Sequence, residues 1–253
     1  MTRRRFYAPP GAFSSNHKSV TLAADEARHL RGVLRLKPGD EVYIFDGLGR
    51  EFQCSITEFA RDAARLEIIS EAEPFRPESP LQLTLAIALL KGEKFDLVTQ
   101  KASELGVTRI VPIRTKHADI QLRDGREAGK RVQRWQRIAL EAAKQSGRAR
   151  VTEISTPVPF DALVSAPEVD DQHKVMFSER GGAAFSELRN TFRENPDSII
   201  AAIGSEGGWS DEEISLARKH HWSIVTLSGR TLRAETAAIT AAVLLQHSFG
   251  DLR

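Results

Sequence analysis

Two stretches near the C-terminus decide the reading of this chain: Ser198-Ile-Ile-Ala-Ala-Ile203 running into Gly204-Ser-Glu-Gly-Gly208-Trp209, and Ser223-Ile-Val-Thr-Leu227 running into Ser228-Gly-Arg-Thr-Leu-Arg-Ala-Glu-Thr236. Each apolar run is short enough for a strand buried on both faces, and each ends in a turn that leads to a helix. After the first turn, Ser210-Asp-Glu-Glu213 is a capping box, and after the second an almost wholly apolar helix spans 237–249. Three glycines in five positions let the backbone approach a ligand closely or take a positive φ. In open α/β sheets ligands sit outside the carboxyl ends of strands, where both turns fall.

Working outward, the same alternation of apolar runs and helical periods extends back to residue 81. Strands are expected at 81–90, 109–114, 173–177, 198–203 and 223–227. A helix carrying Phe95, Val98, Ala102 and Leu105 stops at Gly106, and a long one covers 127–146. The fold class is therefore α/β, with a mostly parallel sheet covered on both faces.

The pattern differs before residue 74. A short helix over 25–34 precedes strands at 41–45, 51–57 and 64–69, with Asp46-Gly47 as a hairpin signal. Between the two patterns, Pro74-Phe-Arg-Pro77-Glu-Ser-Pro80 disfavours helix and central strand. The expected division is a β unit over 1–73, a linker over 74–80 and an α/β domain over 81–253.

Composition narrows the function. No apolar run approaches the ~20 residues of a membrane helix, and the basic start Arg3-Arg4-Arg5 has no apolar run behind it, so a cytoplasmic protein is expected. Cys54 is the only cysteine, and the seven histidines lack ligand spacing, so no metal is expected. There is no phosphate-loop motif, no Gly-x-Gly-x-x-Gly after a first strand and no Gly-x-Ser-x-Gly elbow. The net charge of +2 hides an asymmetry: residues 1–37 hold eight Lys/Arg against two Asp/Glu and 91–150 hold fifteen against seven, whereas 151–253 hold nine against fifteen. Clustered basic charge toward the front suits a polyanion.

Ile203-Gly-Ser-Glu-Gly-Gly208 with Leu227-Ser-Gly-Arg-Thr-Leu-Arg-Ala-Glu-Thr-Ala237 resembles the C-terminal signature of the knotted SPOUT methyltransferases. Arg5-Phe6-Tyr7, His29-Leu30 with Val33-Leu34-Arg35, Lys37-Pro-Gly-Asp40, Lys91-Gly-Glu-Lys94, Lys101-Ala-Ser-Glu-Leu-Gly106 and Glu141-Ala-Ala-Lys-Gln-Ser146 with Arg148 point to one branch, the RsmE family of ribosomal RNA uridine-N3 methyltransferases. The chain departs from the family pattern at Ser205, where proline is usual, at Ser228-Gly229, where Gly-Pro is usual, and at Thr231, where an aliphatic residue is usual.

The resemblance implies a PUA-like β-barrel ahead of a SPOUT-type trefoil-knotted α/β domain, and methylation of uridine N3 in small-subunit (16S) ribosomal RNA with S-adenosylmethionine as donor. It implies a cofactor site built from Phe177, Ser178, Gly204, Glu206, Gly207, Gly208, Leu227, Ser228, Gly229 and Leu232, and chemistry carried by Glu206, Arg230, Arg233 and Glu235. Between Glu206 and Glu235 the proton acceptor stays open. Expected RNA contacts are Arg3, Arg4, Arg5, Arg31, Arg35, Lys91, Lys94, Arg131 and Arg134, with ribosomal RNA or the small subunit as partner and a homodimer as the assembly. Three other readings remain: a SPOUT enzyme acting on another RNA, a non-catalytic RNA-binding protein of ribosome assembly, and a non-RNA α/β enzyme, which the basic front half disfavours.

Overall fold

The computed structural model describes residues 3–120, 124–167, 171–192, 195–227 and 229–252. The chain forms two compact units, the first made of Met1–Glu78 with Ala143–Val151 and the second of Ser79–Ala142 with Thr152–Arg253. A return of residues 143–151 to the first unit has no counterpart in a division made only at the proline-rich stretch.

The first unit is a curled five-stranded sheet of β1 (Arg5–Tyr7), β2 (Ser19–Leu22), β3 (Glu41–Phe45), β4 (Glu51–Phe59) and β5 (Ala64–Ala72). Its order is β1-β3-β4-β5-β2, parallel between β1 and β3 and antiparallel elsewhere. β1 and β2 are its edges, so the expected barrel is an open half-barrel. The Asp46-Gly47 hairpin forms as expected, with Asp46 Oδ1 accepting from the amides of Leu48 and Arg50. Phe6, Leu22, Ile44, Ile56 and Leu66 fill the core, over which helix α1 (Ala24–Arg28) contributes Ala27. The expected helix over 25–34 is only α-helical to Arg28; His29–Val33 continue as a π-helical turn.

The second unit holds an all-parallel sheet of eight strands: β6 (Gln82–Ala88), β7 (Arg109–Arg114), β8 (Glu153–Ile154), β9 (Val158–Pro159), β10 (Gln172–Phe177), β11 (Ala183–Ala184), β12 (Ser198–Ile203) and β13 (Ser223–Thr226). The order is β11-β13-β10-β12-β6-β7-β8, with β9 also on β7. Near-continuous burial of β6, β7 and β12 explains their unbroken apolar sequences. The helices are α2 (Lys94–Glu104), α3 (Gly125–Ser146), α4 (Phe160–Val164), α5 (Phe185–Thr191), α6 (Asp211–Lys219) and α7 (Ala234–Phe249). This is the SPOUT-type α/β class expected from the signature.

Register places the site. Ile203 pairs with Ile87 on one side and Phe177 on the other, and Phe177 pairs with Val225, so the carboxyl ends of β6, β12, β10 and β13 share one edge. α7 begins at Ala234 rather than at 237, with Arg233 as its N-cap residue. Polar residues read as turn therefore form the first helical turn, where a carboxylate such as Glu235 meets unpaired amides and the positive end of the helix dipole.

Candidate active site

At that shared edge lies a cavity of about 350 Å³. Three loops wall it: Phe177–Glu179 after β10, Gly204–Trp209 after β12, and Leu227 with Arg230–Leu232 after β13, closed by Ala234 and Ala237 of α7. Of the residues expected at a cofactor site, Phe177, Ser178, Gly204, Glu206, Gly207, Gly208, Leu227 and Leu232 line it. Gly229 does not, and Ser228 lies outside the described residues.

The glycine turn is shaped by close approaches. A Cβ on Gly207 would stand 2.7 Å from His117 Cβ and 2.9 Å from its carbonyl oxygen, and Gly208 has φ +69°. The Gly208 amide donates to the Ser205 carbonyl at 3.0 Å, closing the turn. Beneath it Trp209 is 1% exposed, packs at a tilt against Phe160 with ring centroids 4.9 Å apart, and donates its indole N–H to the Phe177 carbonyl at 2.8 Å. That bond ties the loop after β10 to the loop after β12. The capping box then opens α6: Glu213 N donates to Ser210 Oγ, and Ser210 N donates to Glu213 Oε2.

Sequence reading missed the segment after β7. His117 packs on Gly207 with Nδ1 3.2 Å from its carbonyl, and the Lys116 amide donates to Glu213 Oε1 at 2.8 Å. Trp209 was missed as a lining residue as well, whereas Glu179 and Ser205 fall within the loops expected to wall the site. Buried Ser205 Oγ has no hydrogen-bond partner among the described residues.

The four expected chemical residues gather near this edge. Arg230 lines the cavity, and Arg233 and Glu235 adjoin it at the start of α7. Lys94, expected among the RNA contacts, instead joins the carboxylates: its Nζ is 2.9 Å from Glu206 Oε1 and 3.9 Å from Glu235 Oε2. Glu235 Oε2 is buried without a hydrogen-bond partner. Lys94 could have been suspected, because Lys91-Gly-Glu-Lys94 follows β6, whose carboxyl end neighbours that of β12.

Partial burial pushes the Glu206 carboxyl up, but hydrogen bonds from Lys94 and from the backbone of Glu206 and Lys91 outweigh it, holding the group below the usual carboxylate range. Glu206 therefore stays ionised through neutrality. The stabilisation it draws from Lys94 is complete above the ordinary carboxylate range and is lost as pH falls through the depressed value. In Lys94→Met, Glu206 should titrate at higher pH than in the wild type, as read by NMR of its carboxyl carbon; an unmoved titration would show that Lys94 does not set it.

The other expected RNA contacts divide. Arg4, Arg31 and Arg35 are exposed. Arg3 and Arg5 both pair with Glu51, whose side chain is fully buried, at 3.1 and 3.0 Å. Lys91 pairs with Asp119, Arg131 with Glu127, and Arg134 with Asp96. Without Arg5 the buried Glu51 keeps Arg3 on Oε1 and the Phe75 amide on Oε2, so Arg5→Ala removes one charge-assisted bond and should cost about 2 kcal/mol of stability. Its RNA affinity per folded molecule should stay at the wild-type level, measured by denaturant unfolding beside RNA titration.

Among the described residues no three His, Cys, Asp or Glu side chains gather as a metal site, and no helix is long and apolar enough to cross a membrane.

The chain matches two family models, an RNA methyltransferase domain over residues 77–246 and an RNA methyltransferase PUA domain over 22–69. It is 34% identical to the ribosomal RNA small subunit methyltransferase E of Synechocystis, covering 88% of this chain and 71% of that one. It is 27% identical to the protein of that name from Bacillus subtilis over 93% and 92% of the two chains. A crystal structure of a ribosomal RNA small subunit methyltransferase E from Neisseria gonorrhoeae, bound to S-adenosyl methionine, superposes with a TM-score of 0.85 at 30% identity over the full length of both chains. A signature read from two strand-end turns, a half-barrel ahead of a parallel α/β sheet and full-length similarity agree: the chain belongs to the RNA methyltransferase family, in the branch of the ribosomal RNA small subunit methyltransferases E.

Proposed function

We propose that this protein methylates N3 of a uridine in small-subunit ribosomal RNA, with S-adenosylmethionine bound in the cavity at the carboxyl edge of the parallel sheet. The observation that carries this is the meeting of three strand-end loops around one cavity, with Glu206, Glu235, Lys94 and Arg230 gathered at or beside it, in a chain of this family.

The residues fit the cofactor. The volume of about 350 Å³ lies within the range of small-molecule sites. Phe177, Ile203, Leu227 and Leu232 supply apolar surface for an adenine ring, while Ser205 Oγ and the glycine turn supply polar groups at close range. Phe177, Ser178, Gly204, Gly207, Gly208, Leu227 and Leu232 would hold it, and bound there it supplies an electrophilic methyl group. A calorimetric titration with S-adenosylmethionine should show one site per chain; no heat and no saturation would remove the reading.

The chain's own task is the imide proton. Uridine N3 must lose it to become nucleophilic, so an acceptor is needed, and the two imide oxygens then carry the charge. Glu206 already accepts bonds from Lys94 and backbone, which lowers its basicity. Glu235 keeps a buried oxygen without a hydrogen-bond partner. We assign proton removal to Glu235: the N3–H bond breaks, an O–H bond forms on its carboxylate, and the electron pair stays on N3. Arg230 and Arg233, always cationic donors, are assigned to the imide oxygens or a flanking phosphate. Lys94 is a positioning residue that holds Glu206 and stands beside Glu235.

The reaction is placed in the cytoplasm, on ribosomal RNA or the assembling small subunit, and the working form is proposed as a homodimer using the outer face of α7, where Val243 is exposed.

A further inference from the structure

The loop over 178–182, after β10, is pinned at both ends. At its start the Ser178 amide donates to the Val225 carbonyl at 2.9 Å, and Ser178 Oγ accepts from the Arg180 amide at 3.2 Å. At its end the Gly182 amide donates to Thr226 Oγ1 at 3.3 Å, and a Cβ on Gly182 would stand 2.7 Å from the Val225 backbone. Arg218 donates to the Gly181 carbonyl at 2.7 Å, and Arg180 donates to the Trp209 carbonyl at 2.8 Å while pairing with Asp211 at 3.1 Å.

The side chain these ties leave open is Glu179. It lines the cavity, is 39% exposed, and lies so close to the glycine turn that a Cβ on Gly208 would stand 2.8 Å from its Oε1. Arg180 Nε is 3.7 Å from that oxygen, beyond hydrogen-bond range. Glu206, the other carboxylate among the described residues lining the cavity, is bonded to Lys94. A carboxylate held in place on a cavity wall with its acceptor positions open selects a ligand that carries donors.

S-Adenosylmethionine offers such an acceptor three groups: the sulfonium, the ammonium and the pair of ribose hydroxyls. A carboxylate at the sulfonium would stabilise the positive charge that methyl transfer removes, and would so oppose the reaction. The ribose adjoins the adenine, and Glu179 is two residues from Phe177, part of the apolar surface assigned to that ring. Vicinal hydroxyls match the two oxygens of one carboxylate, and acidic residues recognise ribose hydroxyls in the same way in dinucleotide sites.

We propose that Glu179 is a specificity-determining residue of the cofactor site, its carboxylate accepting hydrogen bonds from the ribose hydroxyls of the donor. This assignment deepens the methyltransferase reading and rests on it. It makes the site select ribonucleosides over their deoxy counterparts.

The test is calorimetry on the full chain with S-adenosylhomocysteine, its 2′-deoxy and 3′-deoxy analogues, and 5′-methylthioadenosine, which keeps the ribose and lacks the amino-acid group. Glu179→Ala should weaken S-adenosylhomocysteine and 5′-methylthioadenosine alike, by about tenfold or more, the effect of losing a hydrogen bond to a charged group. Glu179→Gln keeps the shape and one acceptor oxygen and should lose less. Each deoxy analogue should bind the wild type about tenfold more weakly than its parent, and in Glu179→Ala that penalty should vanish, as it must for two groups in contact. Thermal unfolding of both variants should match the wild type. Affinity of Glu179→Ala within twofold of wild type would overturn the assignment. So would a deoxy penalty equal in the two proteins, which would reduce Glu179 to a support for the glycine turn. A loss for S-adenosylhomocysteine with 5′-methylthioadenosine unaffected would give the carboxylate to the ammonium instead. These three results leave the methyltransferase reading standing, whereas a wild type that binds none of the ligands removes it.

Discussion

Glu235→Gln should lower the methylation rate at saturating substrates by about 10²- to 10⁴-fold, the usual contribution of a general base. The amide keeps the shape of the side chain and loses only its capacity to take a proton. S-Adenosylmethionine affinity should stay within twofold of wild type, since Glu235 does not line the cavity. Glu206→Gln gives the contrast. Glu206 is bonded to Lys94 at 2.9 Å, so its amide variant weakens that tie and should cost about tenfold or less. The reverse order of effects would move proton removal to Glu206, and equal small effects would leave both carboxylates as structural counter-ions of Lys94.

Trp209→Ala is expected to have the largest effect on the fold of the site. It removes a side chain that is 1% exposed and leaves a cavity beneath the glycine turn, at a cost of about 4 kcal/mol. For a chain of this size that lowers the thermal midpoint by about 10 °C. It also deletes the bond from the indole N–H to the Phe177 carbonyl, which holds two of the cavity's three walls together. Cofactor affinity should therefore fall with stability. Trp209→Phe separates the two causes: the ring is largely kept and only the bond is lost, for about 1 kcal/mol. If Trp209→Phe binds the cofactor as the wild type does, the tie between the loops is dispensable and only packing matters.

Much of the α/β domain was legible because parallel strands buried on both faces must be apolar without a break. Ser198–Ile203 and Arg109–Arg114 show this, and the capping box at Ser210 marks the start of α6 without ambiguity. The three-residue β1 and the two-residue β8, β9 and β11 were not legible, since they are shorter than any period that pattern can reveal. The beginning of α7 was misread for a physical reason. Polar residues are favoured in a first helical turn, where backbone amides lack partners, so polarity there does not mark a loop.

At the site, local motifs located the three cavity walls, but no local pattern reveals a partner 112 positions away, as Lys94 is from Glu206. The same applies to Arg3 and Arg5, whose basic run suggested a polyanion while the fold turns both toward the buried Glu51. Of the departures from the family pattern, Ser205 is the one the structure explains. The turn uses its carbonyl as acceptor for the Gly208 amide, a group that proline also has. Nothing in the structure explains the departures at Gly229 and Thr231.

The most direct test is reconstitution: purified protein, S-adenosylmethionine carrying a labelled methyl group, and small-subunit ribosomal RNA from cells lacking this protein, followed by mass mapping of nuclease fragments. The account predicts one label per RNA, on a single uridine, at N3. Label on another base or another position of the ring would contradict it, and so would an RNA left unlabelled, whether free or in the subunit.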